Sequence, residues 1–141
     1  MGLAKAPILP QTIAIDTNIL ISAFNNPQGN SGELLDKIIN SPTQVFISTL
    51  VFEEFLVKIY REKLEKDITL YEDFLTAGGL FTVVDMNRQI AKKAAQVRSN
   101  TNIKAPDAIH IATAIESKAK AFFTSDKRIP RKIENLTISI I

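Results

Sequence analysis

The sequence predicts an α/β fold: a mostly parallel sheet of about five short strands with helices on both faces. Two observations carry this. Short apolar runs alternate with longer stretches whose apolar residues recur at helical spacing, and strands separated by helices pair in parallel through right-handed crossovers. Two of the short runs, Ile13–Ile15 and Ala121–Thr124, are also followed within two residues by an aspartate. The C-terminal edge of a parallel sheet is where such folds build their sites.

Ile13-Ala14-Ile15 reads as the first strand. Thr17 to Phe24 then reads as a short helix, broken by the turn-rich Asn25-Asn26-Pro27-Gln28-Gly29-Asn30. Ser31 suits the cap of a second helix carrying Leu34, Leu35, Ile38 and Ile39, and Ser41-Pro42 stops it. Val45-Phe46-Ile47 is the second strand. Ser48 or Thr49 caps a longer helix to about Leu64, with Phe52, Phe55, Leu56, Ile59 and Tyr60 in its apolar stripe. Asp67 opens a helix that ends at Gly78-Gly79, and Leu80 to Val84 is the third strand. Asn87 to Arg98 is helical, and Ser99 to Lys104 is a loop. Pro106 suits the first turn of a helix to about Lys118, which is apolar nearly all round and so expected to be buried. Ala121 to Thr124 is the fourth strand, and Leu136 to Ile141 is a fifth, at the edge.

A length of 141 residues suits one domain over 1–141, with residues 1–11 as an N-terminal lead of no readable role. The 45% hydrophobic content supports a core. The absence of cysteine excludes disulfides, thiolate metal sites and Cys nucleophiles. No run approaches a membrane span, and no continuous apolar run follows Lys5, so neither an anchor nor a signal peptide is expected and a cytoplasmic location is the default. No Gly-rich phosphate loop and no Gly-x-Ser-x-Gly elbow occurs. That disfavours a nucleotide-hydrolysing or dinucleotide enzyme and a serine hydrolase.

Four acids fall where separate elements meet: Asp16 and Asp126 after strands, Glu54 on a helix, and Asp107 in the first turn of another. Carboxylates gathered in one place repel unless a cation joins them. Oxygen-only donors favour a hard ion, Mg2+ or Mn2+. Metal-assisted phosphodiester hydrolysis is the chemistry this suggests first. Each acid also has a plain structural reading. Asp16 could cap the next helix, with Thr17 and Asn18 serving the turn rather than a ligand. Glu54 could pair with Lys58 four residues on, and spacing alone does not separate it from Glu53. Asp107 suits a helix dipole in any case, and Asp126 could merely begin a turn. His110, three residues after Asp107, is either a ligand or base or, more commonly, a packed helix histidine.

The net charge of +2 is unevenly spread. Residues 1–85 hold 6 Lys and Arg against 11 Asp and Glu, while residues 86–141 hold 11 against 4. A basic half carrying two of the four acids is what a polyanion approaching a metal site needs, although a solvated basic face explains it equally well. Lys104, Lys127, Arg128 and Arg131 are the candidate contacts for such a polyanion.

Four segments together resemble the motifs of PIN domains. Asp16-Thr17-Asn18-Ile19-Leu20 resembles the first, and Ser48-Thr49-Leu50-Val51-Phe52-Glu53-Glu54-Phe55 the second. There the acid stands six residues after the serine, which favours Glu54. Pro106-Asp107-Ala108-Ile109-His110-Ile111-Ala112-Thr113-Ala114 resembles the third, and Phe123-Thr124-Ser125-Asp126 the fourth. The resemblance implies a three-layer α/β/α sandwich. It implies a Mg2+- or Mn2+-dependent ribonuclease in which Asp16, Glu54, Asp107 and Asp126 hold the metal, with Thr17, Asn18 and Thr124 supporting them by hydrogen bonds. The length resembles VapC-type toxins, which implies a small antitoxin partner, RNA as substrate and a homodimer. A non-catalytic RNA- or protein-binding module on the same fold is the other reading.

Overall fold

Alternate residues of strand β1 (Thr12–Ile15) enter two different cores. Ile13 and Ile15 pack on one side and Ala14 on the other, so β1 is buried on both faces, as a central parallel strand must be. The computed structural model describes residues 8–141. The lead expected over residues 1–11 lies outside the described residues as far as residue 7.

After β1 come α1 (Thr17–Asn25), α2 (Asn30–Ile39), β2 (Gln44–Ser48), α3 (Thr49–Arg61), α4 (Ile68–Thr76), β3 (Phe81–Val84), α5 (Arg88–Asn100) and α6 (Ala105–Glu116). The chain ends with β4 (Ala121–Thr124), β5 (Lys132–Ile133) and β6 (Leu136–Ile140). The strand order is β3-β2-β1-β4-β6-β5, parallel throughout except for the β5–β6 hairpin. One core gathers Ile19, Leu34, Val51, Phe55, Ile59 and Leu75 from α1 to α4. The other gathers Ile90 and Val97 of α5 with Ala108 and Ile111 of α6. The layers are therefore α/β/α, with α1–α4 on one face and α5–α6 on the other.

The sheet has six strands where about five were expected, and Leu136–Ile140 is not its edge. The two-residue β5 lies outside it, turned back by Glu134 at φ 53°. The α2 helix begins at Asn30 with Gly29 at the cap, not at Ser31, which is buried inside the first turn. Gly32 is required there, because a Cβ would stand 1.9 Å from the Pro27 carbonyl oxygen. Helix α3 stops at Arg61, three residues short of the expected end. Lys63 takes a left-handed φ of 58°, and its N–H donates to Tyr60 O while Leu64 N–H donates to Ile59 O. This is the paired C-terminal bonding that glycine usually supports. Lys118, at φ 60°, ends α6 in the same way and turns the chain into β4.

Candidate functional site

Asp16 stands one residue past β1, and its backbone N–H still donates to Phe123 O of β4 at 2.9 Å. This fixes the carboxyl over the junction of the two central strands. The side chain does not cap α1. Instead its Oδ2 accepts hydrogen bonds from Thr124 Oγ1 at 2.8 Å and Asn18 Nδ2 at 3.3 Å. Asp16 is 4% exposed, and burial pushes its carboxyl above the ordinary value of 3.8, against the opposing pull of the Thr124 bond. Thr124, fully buried, also accepts the Asp126 backbone N–H, and Asn18 Oδ1 accepts that of Ser125. Two of the three supporting polar groups expected from sequence, Asn18 and Thr124, therefore tie the end of β1 to the loop after β4, while Thr17 reaches elsewhere.

Thr17 Oγ1 donates to Glu54 Oε1 at 2.6 Å. His110 Nε2 stands 2.8 Å from the same oxygen. Glu54 is thus turned inward from α3, while Glu53 is exposed and Lys58 pairs with Glu62 at 2.7 Å. The helix-surface reading of Glu54 with Lys58 is set aside by these contacts. The bond to His110 is the main cause that lowers the Glu54 carboxyl, partly opposed by burial.

Asp107 opens α6 with no hydrogen bond to its carboxylate among the described residues. Burial raises it first, followed by the charge of Asp16; Asp126 and Glu54 add to the same direction. The other three acids therefore lie within electrostatic reach of Asp107. Asp126 is committed elsewhere. Its oxygens accept Nε and Nη2 of Arg128 at 2.9 Å each, and this fork holds the Asp126 carboxyl below the usual range.

The acids divide between two cavities. One, of about 370 Å3, is lined by Asp16, Thr17, Asn18, Glu54 and Arg61. The other, of about 410 Å3, is lined by Asp107, Asp126, Lys104 and Arg128 with Asn100 and Asn102. Among the described residues, no three His, Asp or Glu side chains already stand in a cation-binding cluster. The donor chemistry nonetheless fits a hard divalent ion. Asp16 Oδ1 and Glu54 Oε2 accept no side-chain hydrogen bond among the described residues, because the side-chain donors converge on the other oxygen of each carboxylate. Two of the acids are also raised by burial, and a cation would relieve that cost.

The basic residues are less uniform than the sequence suggested. Lys104 lines the Asp107 cavity, and Lys127 is exposed. Arg128 is engaged with Asp126, and Arg131 Nη1 donates to the carbonyls of Lys127 and Ile129 in its own loop. Arg61, from the acidic half, reaches the Asp16–Glu54 cavity and was missed. Its signal was its place two turns after Glu54, on the same face of α3. Ser48 had been read only as the cap of α3, which it is, accepting Val51 N–H at 3.1 Å. Its second contact, at 2.8 Å from His110 Nδ1, had no local signal.

The PIN domain family model matches residues 13–135. No curated protein matches the chain by sequence. Among solved structures, the chain is similar to a toxin–antitoxin complex from Klebsiella pneumoniae, at 24% identity and TM-score 0.69 over 89% of this chain and 95% of that one. It is similar to VapBC2 from Rickettsia felis bound to a promoter DNA fragment, at 19% identity and TM-score 0.72 over 92% and 98%. It also resembles VapC20 of Mycobacterium tuberculosis, described as a sarcin–ricin loop cleaving toxin, at 15% identity and TM-score 0.63 over 82% and 90%.

Proposed function

The chain belongs to the PIN domain family, and we propose that it is a divalent-metal-dependent endoribonuclease acting as the toxin of a toxin–antitoxin pair. Residues 1–141 are taken as one nuclease domain at work in the cytoplasm. Among the described residues no helix is long and apolar enough to cross a membrane. The observation that carries the proposal is the Asp16 carboxylate, buried at the end of the central strand with one oxygen anchored by Thr124 and Asn18 and the other without a side-chain donor.

Asp16, Glu54 and Asp107 would hold the ion through their free oxygens. Asp126 would join them directly or through water, once released by Arg128. Mg2+ or Mn2+, when bound, supplies a water of lowered pKa and polarises the scissile phosphate. Thr124, Asn18 and Thr17 keep the carboxylates oriented. Arg61 on one side and Lys104 on the other are placed to draw in a polyanion and hold its phosphates, through counterion release.

A small antitoxin and a second copy of this chain are the proposed protein partners. The similar structure named as a toxin–antitoxin complex supports the first. An apolar groove of about 400 Å3 between α1, α2, α3 and α4 suits an apolar partner segment. Phe24, Ile39, Leu70 and Phe74 are exposed along it.

A non-catalytic RNA-binding module is favoured by one observation, the fork of Arg128 on Asp126, which occupies an expected ligand. Incubation with structured RNA separates the two. The nuclease reading expects cleavage with Mg2+ or Mn2+ that is abolished by EDTA and by Asp16→Asn. RNA that is bound but never cut, whatever the ion, would leave only the binding module.

A further inference from the structure

The one histidine of the chain is almost fully buried, at 3% exposure, and both ring nitrogens are in use. Nδ1 lies 2.8 Å from Ser48 Oγ and Nε2 lies 2.8 Å from Glu54 Oε1. The nearest other acid, Asp16, is 3.9 Å from Nε2, too far for a hydrogen bond. Neither nitrogen is left to face an ion.

The protons can be assigned from the partners. An ionised carboxylate only accepts, so the proton between His110 and Glu54 sits on Nε2. A neutral imidazole has one N–H, so Nδ1 is then an acceptor. Ser48 Oγ already accepts Val51 N–H, and its own hydroxyl proton is free to go to Nδ1. Every donor and acceptor on the path from Val51 N–H through Ser48 Oγ and the His110 ring to Glu54 Oε1 is then satisfied, and no fully buried polar side-chain atom is left without a partner among the described residues.

We propose that His110 is a positioning residue: Ser48 holds it with Nε2 protonated, and with Thr17 it clamps Oε1 of Glu54 so that Oε2 faces the ion. This deepens the metal-dependent reading and rests on it. The clamp joins four elements, since Ser48 ends β2 and caps α3, Glu54 lies on α3, His110 comes from α6 and Thr17 opens α1. Groups that orient a ligand in this way commonly change ion affinity by about 10- to 100-fold when removed. A histidine ligating through nitrogen would instead leave Glu54 held by Thr17 alone.

The test reads the unmodified chain first, so it does not depend on a variant folding. With 15N-labelled histidine, long-range proton–nitrogen correlation of the metal-free protein reports a single ring. A protonated Nε2 with Nδ1 bare is expected, and a bare Nε2 overturns the clamp. Mn2+ affinity, measured from the free-ion electron resonance signal, supplies the second arm. His110→Leu should weaken Mn2+ binding by at least tenfold, while His110→Gln, whose amide reaches a similar point, should recover most of it. Equal affinities for the two variants would overturn the proposal. A parent chain that binds no Mn2+ would remove the metal reading itself, while the ring signals would still decide the clamp.

Discussion

Replacing Thr124 by Val examines whether Asp16 is kept as an anchored, charged carboxylate. Thr124 is fully buried, and Val keeps its shape. The substitution removes the 2.8 Å bond to Asp16 Oδ2 and the acceptor for Asp126 N–H at 3.1 Å. It also removes the longer contact from Asn18 at 3.3 Å. A hydrogen bond to a charged group is worth about 1.5–3 kcal/mol, and an orphaned backbone N–H costs about 1 kcal/mol or more. The expected loss is therefore about 2–4 kcal/mol in metal-free protein at neutral pH, read from urea unfolding with EDTA. Thr124→Ser, which keeps the hydroxyl, should lose much less. The same substitution made in Asp16→Asn should cost about 1–2 kcal/mol less, because the acceptor is then neutral. If the two changes add within about 0.5 kcal/mol, Thr124 is an ordinary core residue and the anchoring of Asp16 is refuted.

Asp16→Asn alone carries a pH signature. The Asp16 carboxyl is raised by burial, so its contribution to stability is full below 3.8 and is lost as pH climbs through the folded value. Relative to the parent, the metal-free variant should therefore gain stability from mildly acid to neutral pH in urea melts; a constant difference would mean that Asp16 is not strained by its charge. Reversing the charge of Arg61 and Lys104 should weaken RNA binding and flatten its salt dependence by about one unit per lost phosphate contact. Reversal of the exposed Lys37 and Lys63 should do neither in salt-titrated binding assays, and equal effects of the two pairs would place the RNA elsewhere. Gly32→Ala should destabilise by about 1–3 kcal/mol, because α2 must move off Pro27; an unchanged melting temperature would show that the turn yields freely.

Much of the fold was legible because its signals are local. The apolar runs at Ile13, Val45, Leu80 and Ala121 sit beside helical periods, and two of them run into aspartates, so strand, sheet edge and acid could be placed together. What could not be read lies in two classes. Lys63 and Lys118 adopt left-handed backbone without glycine, so the ends of α3 and α6 carried no mark. A two-residue strand such as β5 shows no alternation and is specified only by pairing with β6. The contacts that decide the site are the other class. Thr17 meets Glu54 across 37 residues, Ser48 meets His110 across 62, and Asp16 meets Thr124 across 108. Side chains this far apart leave no spacing to read, which is why Lys58 and the capping role of Asp16 remained open until the elements were assembled, and why only the motif resemblance, not spacing, preferred Glu54 to Glu53. Arg61 had a spacing signal but stood in the acidic half, where basic contacts were not expected.

The most direct measurement is an anomalous-difference map from a crystal of the chain soaked in Mn2+. The expected peak lies among Asp16, Glu54 and Asp107, within about 2.0–2.3 Å of their oxygens, and Arg128 should have left Asp126 or be bridged to it by water. The same peak should vanish in Asp16→Asn. A well-ordered map with no Mn2+ beside Asp16, or with the ion bound only at surface acids, would contradict a metal-dependent nuclease at this site.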